Sequence, residues 1–176
     1  DIIVHCAAAT SENKLEYDYS KLVNVTNTKK LLDAAKKAGA SRFIYISSMS
    51  ANINNPSYYA QTKLEAERAI IASEGIEWVI LRPGLVINVK NRGIFTKMVK
   101  YIKLLPIVPV IVTKKNLSII WVEDLCQAIL LAIISLPARG KIIDICADEK
   151  LSLNDIVKEI AKKLERKIIC MPIPYC

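Results

Sequence analysis

Apolar residues along this chain fall into short continuous runs, and the runs alternate with amphipathic stretches. Asp1 to Ala8 (DIIVHCAA) is almost uninterrupted apolar sequence, which predicts a strand buried on both faces. From Leu22 to Ala38 the residues Leu31, Leu32, Ala34, Ala35 and Ala38 recur at helical spacing, and Gly39 ends the helix. Arg42 to Ser47 is the next buried strand. Pro56 and Ser57 start a helix that runs to about Ser73, with Gly75 beyond its end. Ile76 to Leu81 is a third strand, and Pro83-Gly84 turns the chain out of the sheet.

Strand–helix alternation of this kind gives an α/β fold, a doubly wound parallel sheet with right-handed crossovers. Ligands bind such sheets beyond the carboxyl ends of the strands. Ala7-Ala8, Ser47-Ser48 and Pro83-Gly84 all lie at those ends, so three separate segments converge on one crevice. Past Gly84 the pattern is less regular. It predicts a helix over Gly93–Leu104, a short strand over Asn116–Val122, and a helix opening at Glu123-Asp124, where two acids suit the positive end of the dipole. A strand over Lys141–Cys146 follows, then a helix from Ser152 to about Leu164 with Asp155 in capping-box position, then a strand over Lys167–Pro172. Residues 1–84 thus form one body of sheet, and 85–176 a mixed segment. No stretch reads as a signal peptide. Leu117–Leu136 is interrupted by Glu123 and Asp124, and Tyr101–Val112 by Pro106 and Pro109, so neither reads as a membrane span.

Composition narrows the functional classes. At 176 residues and 52% apolar content the chain can bury a core built mostly from aliphatics, since aromatics are only 6%. The 25 basic and 17 acidic residues leave a charge of +8. The lysines sit in pairs on amphipathic helices (Lys29-Lys30, Lys36-Lys37, Lys162-Lys163) with no aromatic–basic platform beside them. That pattern predicts solvated helix faces and no nucleic-acid partner, while the balance also serves an anionic ligand such as a dinucleotide or a nucleotide-sugar. Five cysteines at irregular spacing, with no C-x-x-C, make neither a disulfide framework nor a zinc site. Cys6, Cys126 and Cys146 read as small core residues, and the cytoplasm as the expected compartment. The only histidine, His5, lies inside the first strand, so no metal site is expected.

The candidate chemistry lies at the crevice. Tyr59 and Lys63, four residues apart, share a helix face. A nearby ammonium favours the phenolate and lowers the tyrosine pKa, which would make Tyr59 an acid/base near neutral pH. Ser48 can hold the substrate oxygen whose proton Tyr59 exchanges. Tyr17 and Lys21 have the same spacing, but no serine-ended strand precedes them, so the crevice favours Tyr59–Lys63. The bland alternative is an ordinary surface pair on a helix.

In these segments the chain resembles the short-chain dehydrogenase/reductase superfamily, in its extended or atypical branch of NAD(P)-dependent epimerases, dehydratases and reductases. The matching segments are Asp1–Ala8, Asn24-Val-Thr-Asn-Thr28, Phe43–Ser48, Tyr59–Lys63 with Glu67, Leu81–Gly84 and Trp121–Asp124, in the family's order. The resemblance implies a Rossmann-type sheet lacking its first strands, with a partial C-terminal substrate region. It implies that Ser48, Tyr59 and Lys63 are catalytic and that NAD or NADP is the cofactor. Ala7, Ala8, Asn24, Ser47, Tyr59, Lys63, Pro83 and Gly84 would line or support that cofactor, and Arg82 would brace the loop. Asn24 as a helix-start residue, Ala7-Ala8 as tight packing and Glu123-Asp124 as a helix cap stay open. A homodimer through the helices 22–38 and 57–73 is also implied.

Two departures from the family pattern stand out. The Gly-x-x-Gly-x-x-Gly loop that wraps the pyrophosphate falls, in the family, ahead of the point matching Asp1. Without those strands Asp1–Ala8 would be an exposed apolar edge, and the isolated chain is expected to be poorly soluble or oligomeric and to bind dinucleotide weakly. Only ten residues separate Ser48 from Tyr59, fewer than in the sugar-nucleotide epimerases, and Asn88 stands where many extended members have glycine. The short form looks more like atypical members related to the complex I accessory subunit and NmrA-like proteins. Two readings follow: an NAD(P)-dependent enzyme acting on a nucleotide-sugar or similar substrate, or a non-catalytic dinucleotide-sensing or assembly subunit of the same fold.

Overall fold

A computed structural model describes residues 1–10, 17–52, 57–87, 94–112, 117–148 and 151–174. The expected start signals at Pro56, Gly93 and Asn116, together with Asn88 and Cys176, lie outside the described residues. The chain forms two compact units: residues 1–84 with 123–145, and residues 85–122 with 146–176.

The first unit is built on a parallel sheet of β1 (Ile2–His5), β2 (Arg42–Ile46), β3 (Glu77–Pro83) and β7 (Lys141–Ile145), in the order β1-β2-β3-β7. Register runs Ile2 to Arg42, Phe43 to Trp78 and Ile80 to Ile142. Side chains alternate across a strand, and β2 shows what that does here. Phe43 and Tyr45 pack with Leu32 and Ala35 of α2 (Asn27–Lys37) and Ala66 and Ile70 of α3 (Tyr58–Ile71). Ile44 and Ile46 face the other way, against Ile129, Ala132 and Ile133 of α5 (Val122–Ile134). The sheet therefore has helices on both faces, as the strand–helix alternation predicts. At the start of β2, Arg42 Nη1 caps α5 by donating to the carbonyls of Ala132 and Ile133, each at 2.8 Å, while its Nε and Nη2 reach Glu77.

Helix ends follow the residues present. Gly39, at φ 71°, closes α2: its N–H reaches the Lys36 carbonyl at 3.0 Å and that of Ala40 the Ala35 carbonyl at 2.9 Å. This is the two-bond Schellman arrangement, which an L side chain at that φ would strain. Ser57 caps α3 by accepting the Ala60 N–H.

Several expectations need correction. β1 is not buried on both faces: Ile2 and Val4 are 37% and 36% exposed, on a strand at the edge of the described sheet. The segment Leu22–Ala38 is not one α-helix. A short helix α1 (Tyr17–Lys21) leads into a π-helical turn, Leu22–Thr26, before α2 begins. Asn24 is thus inside a turn with helical conformations on both sides, not a helix-start residue. Cys6, Cys126 and Cys146 are exposed rather than core residues. Cys6 and Cys146 lie one residue past the ends of β1 and β7, and Cys126 is in the first turns of α5, near Cys6.

The second unit holds two parallel strand pairs. β4 (Leu85–Ile87) pairs with β6 (Ile119–Trp121), and β5 (Ile107–Val112) with β8 (Ile169–Pro174). Packed with them are α4 (Ile94–Leu104) and α6 (Leu153–Lys163), with Ile102, Val108, Val110, Val157 and Ala161 forming a core. The predicted capping box is present: Asp155 N–H reaches Ser152 Oγ at 3.2 Å and Ser152 N–H reaches Asp155 Oδ2 at 3.0 Å. β4 and β5 were not legible as strands. Pro109 argues against a strand, yet among the described residues β5 has β8 as its only ladder partner, so one missing donor is tolerated. Among the described residues no helix is long and apolar enough to cross a membrane.

Candidate active site

The carboxyl ends of β1, β2 and β3 bring the expected residues to one side of the sheet. Ser47 and Ser48 follow β2, Pro83 ends β3 and Gly84 follows it, while Ala7 and Ala8 follow β1. Parallel registration makes these ends coincide, and α3 lies across them because Ala66 and Ile70 pack on β2 and β3. Tyr59 and Lys63 sit in the first turns of α3, so the packing of its distal turns aims them at the strand ends.

Ser48 is prepared as a donor. Its Oγ accepts the Ser50 N–H at 3.2 Å and the Ser50 hydroxyl at 2.9 Å, both from the 3-10 turn Met49–Asn52. Ser48 thus keeps its own proton to donate, with Tyr59 as a neighbour. Burial raises the Tyr59 pKa above its ordinary value, with the Ser48 bond pulling the other way. The expected lowering by Lys63 is therefore overturned. The Lys63 ammonium is turned elsewhere: Nζ donates to the Ile46 carbonyl at 2.6 Å and stands 4.2 Å from the centroid of the Tyr45 ring.

Lys63 is only 1% exposed. Burial lowers its pKa from 10.5 to about 8, against the opposing pull of Glu67. The consequence for stability has a definite sign. Between pH of about 8 and 10.5 the unfolded chain holds a proton that the folded chain does not, so stability rises with pH across that window. Below it both states are charged and the folded state bears the full desolvation penalty, about 3 kcal/mol at 1.36 kcal/mol per unit. Lys63→Met should therefore stabilise the fold at neutral pH by about 1–3 kcal/mol, after allowing for the lost bond to Ile46. The gain should shrink as pH rises above about 8. Urea denaturation at neutral and alkaline pH measures both effects; a neutral-pH loss of stability would show that the buried ammonium is net favourable.

Tyr45, beneath Lys63, is fully buried, and its hydroxyl has no hydrogen-bond partner among the described residues. Burial, then Tyr59 and Glu67, push its pKa up. A buried hydroxyl without a partner costs about 1–3 kcal/mol. Tyr45→Phe keeps the ring under Lys63 and should raise stability by about 1 kcal/mol. A comparable loss on thermal denaturation would reveal a bound water at that oxygen.

A second polar cluster braces the strand ends. Glu67, one turn beyond Lys63, is 1% exposed and accepts from the Ser47 hydroxyl, from Arg82 Nε at 2.9 Å and from Arg82 Nη2 at 2.5 Å. The bond to Glu67, ahead of the opposing effect of burial, raises the Arg82 pKa. Ser47 and Arg82 thus tie β2 and β3 to the helix that bears Tyr59 and Lys63.

The third cluster is centred on Asn24. Its Oδ1 accepts the Ala9 N–H at 2.7 Å, and its Nδ2 donates to the Ala9 carbonyl and to Thr62 Oγ1, each at 3.0 Å. Thr62 in turn donates to the Tyr59 carbonyl at 2.9 Å. Asn24 therefore joins the loop after Ala7-Ala8 to the turn of α3 between Tyr59 and Lys63. Sequence reasoning missed Thr62 and Tyr45. Thr62 stands inside the Tyr59–Lys63 motif, and Tyr45 shares Phe43's strand face, so position alone could have flagged both. The other Tyr–Lys pair is a surface cluster: Tyr17 donates to Glu65 at 2.8 Å and Lys21 lies 3.5 Å from the same carboxylate.

Comparison with known proteins agrees with this geometry at the level of fold and family. Residues 1–100 match a family described as NAD(P)H-binding. UDP-glucose 4-epimerase of Vibrio cholerae is 26% identical over 196 aligned residues, which cover 98% of this chain and 60% of that protein. Protein FMP52, mitochondrial, of Lodderomyces elongisporus is 37% identical over 86 residues, 49% of this chain and 34% of that protein. The structure of RMD from Pseudomonas aeruginosa complexed with NADPH superposes with a TM-score of 0.85 at 20% identity, covering 98% of this chain and 69% of that one. The chain thus spans about 60% of the length of the epimerase it matches. With its parallel sheet and a family match over more than half its length, the chain belongs to the NAD(P)H-binding family, on a Rossmann-type fold.

Proposed function

We propose that this chain carries the acid–base part of an NAD(P)-dependent epimerase, dehydratase or reductase acting on a nucleotide-sugar or a similar hydroxyl or carbonyl substrate. The observation that carries this reading is that Ser48, Tyr59 and Lys63 meet at the carboxyl end of β2: Ser48 follows that strand and is held by Ser50, and Lys63, one turn from Tyr59 on the same helix, donates to the Ile46 carbonyl. Tyr59 exchanges a proton with the substrate oxygen, and Ser48 turns its own proton from Tyr59 to that oxygen to hold it. In the arrangement described, the phenol keeps its proton at neutral pH, which suits donation to a carbonyl oxygen. Acting as a base requires the Lys63 ammonium to turn from Tyr45 towards Tyr59 and favour the phenolate.

The donor set fits the nicotinamide–ribose end of a dinucleotide. Lys63 has three protons and the Ile46 carbonyl takes one, so the others suit ribose hydroxyls. Ala7 and Ala8 offer small side chains at a strand end, and Pro83 and Gly84 offer a flat, donor-poor wall. Asn24 and Ser47 act through Ala9, Thr62 and Glu67. A bound dinucleotide would supply the redox capacity that these side chains lack. Residues 1–176 contain no glycine-rich loop for its pyrophosphate. The homodimer proposed through helices 22–38 and 57–73 is supported by Leu22, Leu31, Tyr58 and Ile71, all exposed on those segments.

A second reading, a non-catalytic dinucleotide-binding subunit, is favoured by two observations. The Lys63 ammonium is committed to Ile46 and Tyr45, and the Tyr59 pKa is raised rather than lowered. Titrating the complete protein with NAD(H) and NADP(H), then assaying UDP-hexose epimerisation and carbonyl reduction, separates the two. Saturable binding with turnover is the expected result. Binding without turnover on any nucleotide-sugar, alcohol or ketone selects the second reading, and no binding overturns both.

A further inference from the structure

The single histidine has no part in the chemistry above, yet it is buried beside it. His5 is 8% exposed, and its ring lies 5.5 Å from that of Tyr45, centroid to centroid. Its Nε2 is 2.8 Å from Thr28 Oγ1. Thr28 is fully buried, and its hydroxyl donates to the Asn24 carbonyl at 2.8 Å. A hydroxyl has one proton, and here it goes to Asn24. The Thr28 oxygen can therefore only accept from His5, which fixes the ring as the Nε2–H tautomer. Burial, then the Lys63 charge, lowers the His5 pKa, in keeping with a neutral ring.

The acceptor at the end of this chain is the Asn24 backbone, inside the π-helical turn Leu22–Thr26. A π turn loosens the regular i→i−4 ladder, and side-chain bonds to its carbonyls can hold it in place. We propose that His5 is a positioning residue: a neutral imidazole that, through Thr28, locks the Asn24 turn and with it the Ala9 loop and Thr62 of α3. The lock joins β1, α2 and α3 in one line of buried hydrogen bonds: His5–Thr28, Thr28–Asn24, Asn24–Ala9 and Asn24–Thr62. Its consequence for turnover rests on the enzymatic reading above, but the lock itself does not.

One histidine in the chain means one set of imidazole signals. A long-range proton–nitrogen correlation spectrum of this 176-residue chain should show a neutral His5 ring with its proton on Nε2. In Thr28→Val, which keeps the shape and removes the hydroxyl, the His5 Nε2–H signal should shift. Exchange of the Ala9 amide, which bonds Asn24, should quicken by about tenfold, the scale of one lost hydrogen bond. Thr28→Ser should restore both. If the enzymatic reading holds, Thr28→Val should also lower kcat more than it raises KM. A proton on Nδ1, or Ala9 exchange in Thr28→Val within about twofold of the parent, would overturn the lock. Those two readouts are made without substrate, so failure of the enzymatic reading leaves them decisive.

Discussion

Tyr59→Phe should lower turnover by about 10²–10⁴-fold, the range that a positioned general acid or base contributes. Dinucleotide affinity should stay within about twofold, because the change removes one oxygen and leaves Lys63, Asn24 and the strand ends in place. kcat and kcat/KM should fall together, since a proton transfer is an interaction made in the transition state. Steady-state kinetics alongside a dinucleotide titration make the test. Turnover equal to that of the parent would remove Tyr59 from the chemistry. A parallel collapse of dinucleotide affinity would assign it to binding. The substitution also removes the partner of Ser48, so thermal denaturation of the same variant should show at most a modest loss, about 1 kcal/mol.

Glu67→Ala should destabilise the first unit by about 3–5 kcal/mol, because it takes from a buried guanidinium the carboxylate that accepts two of its bonds. Glu67 is 1% exposed and Arg82 9% exposed, so water is poorly placed to replace the pair. The Ser47 hydroxyl loses its acceptor in the same change. Replacing both partners by apolar residues, as in Glu67→Leu with Arg82→Met, should recover most of the loss, since a buried pair contributes little net stability over a packed apolar one. Urea denaturation of the single and double variants gives the cycle. A single-variant loss below about 1 kcal/mol would mean that the pair is hydrated in solution. Turnover should suffer in the double variant even where stability returns, because Glu67 ties the helix of Tyr59 and Lys63 to the ends of β2 and β3.

The helices on both faces of the first unit were legible because strand alternation and helical spacing are local patterns with few solutions. Arg42–Ile46, Tyr58–Ile71 and Lys141–Ile145 all lie within a few residues of where periodicity placed them. The strands Leu85–Ile87 and Ile107–Val112 were not legible. The first is too short to show a period, and the second carries Pro109, which is tolerated where, among the described residues, the strand has a single ladder partner. The three exposed cysteines were misjudged for a related reason. Apolar neighbours predict burial only when some element covers that side of the strand or helix, and no run of residues says which side is covered.

What the sequence determined by itself is the alternation of strands and helices in the first unit and the convergence of Ser48, Tyr59, Lys63 and Gly84 on one end of its parallel sheet. Those features depend on spacing along the chain, and spacing survives in a string of letters. Only the tertiary structure decided where protons and charges rest. It half-buried Tyr59 and raised its pKa, turned Lys63 onto Ile46 and Tyr45, folded Asn24 into a π turn, and linked that turn to His5 through Thr28. Desolvation and hydrogen bonding depend on which segments meet, and His5 and Thr28, 23 residues apart, meet only when β1 and α2 pack.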